Sequence, residues 1–92
     1  ECLCRELEVA GLRFERQKEI PVVYKGKPVS AAFRADVVIE GSVILELKSV
    51  ETVLKVHEAQ LLTYLRMSGI GIGLLINFNV PILRDGIKRF VL

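Results

Sequence analysis

The spacing of apolar residues changes several times along the chain, and each change marks an element. Over residues 1–10, Leu3, Leu7 and Ala10 recur at helical spacing against Arg5, Glu6 and Glu8. This predicts the end of an amphipathic helix closed by Gly11. Phe14 to Val23 reads as a first strand, with Pro21 pointing to an edge or a bend. Tyr24-Lys25-Gly26-Lys27-Pro28 predicts a turn. Val29 to Glu40 and Val43 to Val50 follow as second and third strands, joined at Glu40-Gly41-Ser42. From Glu51 to Ser68 the period returns to three and four, through Val53, Val56, Ala59, Gln60, Leu61 or Leu62, Tyr64 and Met67. That predicts a helix entered near Glu51 or Thr52 and ended by Gly69. Ile70 to Phe78 is apolar on both faces, as a central strand would be. Asn79-Val80-Pro81 breaks it, and an Asp85-Gly86 turn leads into a short last strand, Ile87 to Val91.

The predicted order is α-β-β-β-α-β with a tail, an α/β fold with a mixed central sheet flanked by helices. The 92 residues suffice for one domain with one real core, and 51% are hydrophobic, which excludes disorder. No apolar run approaches the roughly 18 residues needed to span a membrane, and no basic segment leads into an apolar one as in a secretory signal. The expected setting is therefore the cytoplasm, with no membrane partner. The chain opens without methionine and inside a helical pattern, so residues 1–92 are expected to be a single domain truncated at its N-terminus. Thirteen basic and eleven acidic residues give a net charge of +2, which permits nucleic-acid binding without pointing to it. Cys2 and Cys4, two apart on a helix, point in different directions and read as reduced thiols.

The chemistry concentrates in the second and third strands. Asp36, Glu46 and Lys48 interrupt stretches that are otherwise apolar, and charges there are costly unless exposed, paired or metal-bound. Glu46 and Lys48 share one strand face, with Leu45 and Leu47 on the other. A three-residue loop at 40–42 puts Ile39 opposite Val43, Asp36 opposite Glu46 and Arg34 opposite Lys48; a two-residue loop would invert the face of Asp36. Two carboxylates about 4 Å apart repel by roughly 4 kcal/mol at an effective dielectric of about 20. A divalent cation relieves this, and Lys48 alone relieves it in part. An exposed cross-strand ion pair would leave the same pattern. On the second helix, Gln60 and Tyr64 lie one turn apart on one face and suit the positioning of a phosphate, a water or a nucleobase. His57 belongs either to that set or to the polar first turn of its helix.

Taken together, Asp36, then Glu46-Leu47-Lys48, then Gln60-Leu61-Leu62-Thr63-Tyr64 resemble the PD-(D/E)XK nuclease superfamily and its RecB-like branch. The order αβββαβ matches the restriction-endonuclease-like core. Phe33-Arg34-Ala35-Asp36, the run Val56 to Arg66, Leu74 to Val80 and Asp85 to Arg89 are similar to the group called GxxExxY proteins. The segment that names that group is not in this sequence; its place would be just before Cys2. The resemblance implies Mg²⁺ or Mn²⁺ held by Asp36, Glu46 and the backbone carbonyl of Leu47, with Lys48 orienting a water or stabilising charge on phosphorus. It also implies that Gln60 positions water or backbone, and that Tyr64 contacts nucleic acid or braces the site. Arg34 becomes a phosphate contact, or else a cross-strand partner of Glu40 or Glu46. A glutamate of the first helix often helps hold metal in this superfamily, but neither Glu1 nor Glu6 is assigned that role. The implied activity is hydrolysis of nucleic acid, DNA in particular. The alternative is a catalytically silent nucleic-acid-binding or protein-interaction module on the same fold.

Overall fold

The computed structural model describes residues 2–92, with the side chains of 2, 22–24 and 28–32 outside the description. Helix α1 (Cys2–Val9) leads into a long hairpin of β1 (Phe14–Tyr24) and β2 (Lys27–Ile39), followed by β3 (Val43–Lys48). Helix α2 (Lys55–Ser68) then returns the chain to β4 (Ile72–Asn77), and a 3₁₀ turn, Leu83–Gly86, precedes β5 (Ile87–Val91). The five strands form one sheet in sequence order. β3 and β4 are parallel and every other neighbouring pair is antiparallel, so the sheet is mixed, with β4 inside it and β1 at an edge. Parallel neighbours need a crossover, and α2 supplies it.

Each sheet face buries its own cluster. On the α2 side, Ile20, Ala35, Val38, Ile44, Leu75 and the helix residues Leu61, Tyr64 and Leu65 pack together, with Phe33 beside them. On the α1 side, Leu7 covers Val37, Leu45 and Ile76, flanked by Phe14, Ile39, Val43 and Leu47. Leu61 is fully buried at the centre of the larger cluster. Leu61→Ala is expected to cost about 2–5 kcal/mol, read as a fall in the midpoint of urea unfolding.

The 40–42 loop has the odd length the sequence required. Ile39 pairs with Val43, and Glu40 and Gly41 both take positive φ, 54° and 63°. Gly69 ends α2 in the left-handed conformation, its N–H donating to the Leu65 carbonyl. β1 carries a bulge between Pro21 and Val23, the bend foreseen at Pro21.

The largest departure from the expected boundaries lies between β3 and α2. β3 stops at Lys48 and α2 starts at Lys55, with Leu54 rather than Glu51 or Thr52 at its cap. The reason is Asn77. Its amide donates to the Val50 carbonyl at 2.9 Å, and its Oδ1 accepts from the Val50 N–H at 3.1 Å. Those bonds hold the chain beyond Lys48 extended beside the end of β4. The helix begins only where the backbone is released.

Candidate active site

Asp36 and Glu46 meet where the β2–β3 ladder ends. The last pair of that ladder is Val37 with Leu45. Past it, each carboxylate takes a backbone donor from the opposite strand. The Asp36 N–H donates to Glu46 Oε2 at 3.1 Å, and the Leu47 N–H donates to Asp36 Oδ2 at 2.8 Å. The expected opposition of the two acids is formed, but through side chains that replace ladder bonds. An extended residue aims its N–H and C=O at the same strand edge, so the Leu47 carbonyl also faces β2 beside the two acids.

Glu46 is 3% exposed. Burial, and then the nearby Asp36 charge, push its carboxyl up to about 7, against the opposing pull of the Asp36 N–H and of Lys48. A solvated sheet face would show neither the burial nor the shift. Lys48 is half-buried and alternates onto the same side of β3 as Glu46.

Tyr64 is 5% exposed and its ring lies 5.0 Å from that of Phe33. Burial and the charges of Glu46 and Asp36 raise its phenol, opposed by a hydrogen bond from the Arg34 backbone. The Tyr64 hydroxyl therefore lies against the β2 backbone at Arg34, within reach of the charges of the two acids, which suits bracing rather than outward contact. Gln60, one turn earlier, is exposed. His57 Nδ1 accepts the Leu54 N–H at 3.0 Å, so it serves the first turn of α2.

Arg34 needs a correction. The extrapolated ladder set it beside Lys48 with Glu40 or Glu46 as its alternative partners. Instead it stands opposite Glu19 of β1, with Nη2 3.7 Å from Glu19 Oε2, both side chains well exposed. Phe33 and Ala35 face α2, so Arg34 between them faces the other way. Glu6 is exposed on α1, and Glu1 lies outside the described residues.

Among the described residues no three His, Cys, Asp or Glu side chains gather as a metal cluster. The donor set is two carboxylates and one carbonyl, all hard oxygen, which suits a Mg²⁺-type ion that keeps several waters. The buried Glu46, costly to ionise beside Asp36, is the feature a cation would relieve. The residues present fit such an ion.

Two further residues bear on the site. Asn77, read in the sequence as a strand end, also fixes the path of the chain leaving Lys48, and the Phe78 N–H donates to the Lys48 carbonyl at 2.8 Å. Gln17 lines a cavity of about 530 Å³ with Arg16, Asp36, Leu47 and Phe78, beneath Leu3 and Cys4 of α1. Its only sequence signal was the loss of alternation across Glu15-Arg16-Gln17-Lys18-Glu19.

The topology and the paired acids define a restriction-endonuclease-like α/β domain. The model of the PD-(D/E)XK nuclease superfamily matches residues 1–90, and the chain belongs to that superfamily. Membership implies a nuclease-like fold. A crystal structure of the protein SSO0001 is similar over 97% of this chain, with a TM-score of 0.65 and 25% identity. The chain spans 45% of that protein's length. No curated protein matches the chain. Among the described residues no helix is long and apolar enough to cross a membrane.

Proposed function

We propose that this domain is a divalent-metal-dependent nuclease that hydrolyses DNA phosphodiester bonds, within the RecB-like branch and the GxxExxY group. The observation that carries the reading is the buried Glu46, held against Asp36 by reciprocal backbone hydrogen bonds. Asp36, Glu46 and the Leu47 carbonyl would hold Mg²⁺ or Mn²⁺. Bound there, the ion supplies an acidified water and shields the phosphate charge. Lys48 orients the attacking water and stabilises charge on the phosphoryl oxygens. Tyr64 braces β2 against α2 at the level of the acids. Gln60, exposed one turn away, positions water or the nucleic-acid backbone. Arg34 offers an exposed phosphate contact on the other side of the hairpin. A cytoplasmic setting belongs to this reading, and the free thiol of Cys4 suits a reducing compartment.

One observation favours a second reading. Each acid already has one oxygen satisfied by a backbone N–H, so the pair ties β2 to β3 without a metal. A silent nucleic-acid-binding or protein-interaction module would use it in that way. Incubation of the complete protein with labelled single- and double-stranded DNA, with Mg²⁺ or Mn²⁺ and with EDTA, separates the two. Cleavage that EDTA stops is expected. Binding of DNA without cleavage under any cation would support the silent module.

A further inference from the structure

We infer that Gln17 is a positioning residue, whose left-handed backbone creases the β1–β2 hairpin and thereby turns Asp36 towards β3. Three observations locate the crease. The β1–β2 register pairs Arg16 with Val37 and Lys18 with Ala35, leaving out only the pair Gln17 with Asp36 between them, and no residue is inserted. Gln17 has φ 51°, inside a strand and on a residue other than glycine. The side chains change face there. Phe14, Val37 and Ile39 pack on the α1 side, whereas Ile20, Phe33 and Ala35 pack on the α2 side. In unbroken strands residues separated by an even number share a face, so Phe33 and Ala35 would lie with Val37 and Ile39. The ion pair between Lys18 Nζ and Glu15 Oε1 at 3.0 Å spans three residues, which an unbroken strand would put on opposite faces.

The consequence falls on Asp36. Without a partner in β1 at this level, its N–H donates to Glu46 Oε2, and its carboxylate accepts the Leu47 N–H. A non-glycine residue at positive φ in mid-strand persists only where surrounding structure enforces it, and such residues gather at functional sites. The backbone conformation of Gln17, rather than its amide, is what the site needs. The effect on cation binding rests on the nuclease reading above; the effect on the two amides does not.

The test compares Gln17→Gly and Gln17→Asn, which accept positive φ, with Gln17→Val and the smaller Gln17→Thr, whose branched side chains oppose it. Two quantities are measured on the complete protein: amide hydrogen exchange at Asp36 and Leu47, and Mn²⁺ affinity by calorimetry. Gly and Asn variants are expected to match the parent in both. The branched variants are expected to exchange both amides at least about tenfold faster while Leu75 stays protected, and to bind Mn²⁺ about tenfold or more weakly. If Val fails to fold, Thr gives the reading. Unchanged exchange in the branched variants overturns the inference, as does an equal loss in Gly and Asn. Faster exchange with no Mn²⁺ binding by any variant or the parent supports the crease and overturns the nuclease reading.

Discussion

Lys48→Ala, and separately Asp36→Asn, are each expected to lower the proposed cation-dependent DNA cleavage by the complete protein at least about a hundredfold while circular dichroism stays that of the parent. Lys48 is half-buried beside Glu46 and contributes to lowering that carboxyl against its burial. Its ammonium favours the charged form of Glu46, and in the proposed mechanism its loss removes the group that stabilises developing charge on phosphate. Removing one such electrostatic group from a preorganised site typically costs about 10²–10³ in rate. Asp36→Asn is the cleaner change at the second position. Alanine would leave the Leu47 N–H without its acceptor, a loss of about 1–3 kcal/mol in a partly buried site. Asparagine keeps an oxygen for that N–H and removes only the charge. A decrease of at least about a hundredfold is expected for each, measured as initial rates under Mg²⁺. Parent-like rates in both variants would refute the site.

The second expected result concerns Glu46 and pH. Its carboxyl is raised from 4.5 to about 7, chiefly by burial. Below about pH 4.5 the group is protonated in both folded and unfolded chains. Between there and about 7 the unfolded chain releases the proton while the folded chain keeps it, so stability falls as pH rises through this window. Above about 7 both forms are ionised and the loss is complete. At about 1.36 kcal/mol per pKa unit, the full span amounts to roughly 3 kcal/mol. Glu46→Gln keeps an acceptor for the Asp36 N–H and removes the titration. The variant is expected to lack this fall and to melt above the parent at pH 8 in EDTA. A bound cation works the other way, since it needs the carboxylate: Mn²⁺ affinity of the parent should rise with pH up to about 7, and Glu46→Gln should lose it. Melting curves from pH 5 to 8, with Mn²⁺ and with EDTA, test both halves. Parallel curves for parent and variant would show that Glu46 does not carry this cost.

Much of this site was legible because its parts obey local rules. Period-two alternation set Glu46 and Lys48 on one face of β3, and the length of the Glu40-Gly41-Ser42 loop fixed the register that brings Asp36 to Glu46. The i, i+4 spacing put Gln60 and Tyr64 on one side of α2, although only Tyr64 is buried there. The error at Arg34 came from extending that register through Asp36 as if the strand were regular. The β2–β3 ladder ends at Val37–Leu45, and the inversion of faces between Ala35 and Val37 puts Arg34, opposite Glu19 in the unshifted β1–β2 register, on the face away from Lys48. The late start of α2 had a similar origin, since the Asn77 side chain reaches a segment distant in sequence.

The sequence by itself determined the elements, their order, the mixed sheet and the identity of the acids and the lysine, because hydrophobic period and turn chemistry act between near neighbours. Only the tertiary structure decided how deeply Glu46 is buried, which backbone donors the acids take, and where the hairpin inverts its faces. Those depend on what two sheet faces and two helices leave exposed to water, a balance that no short stretch of chain contains.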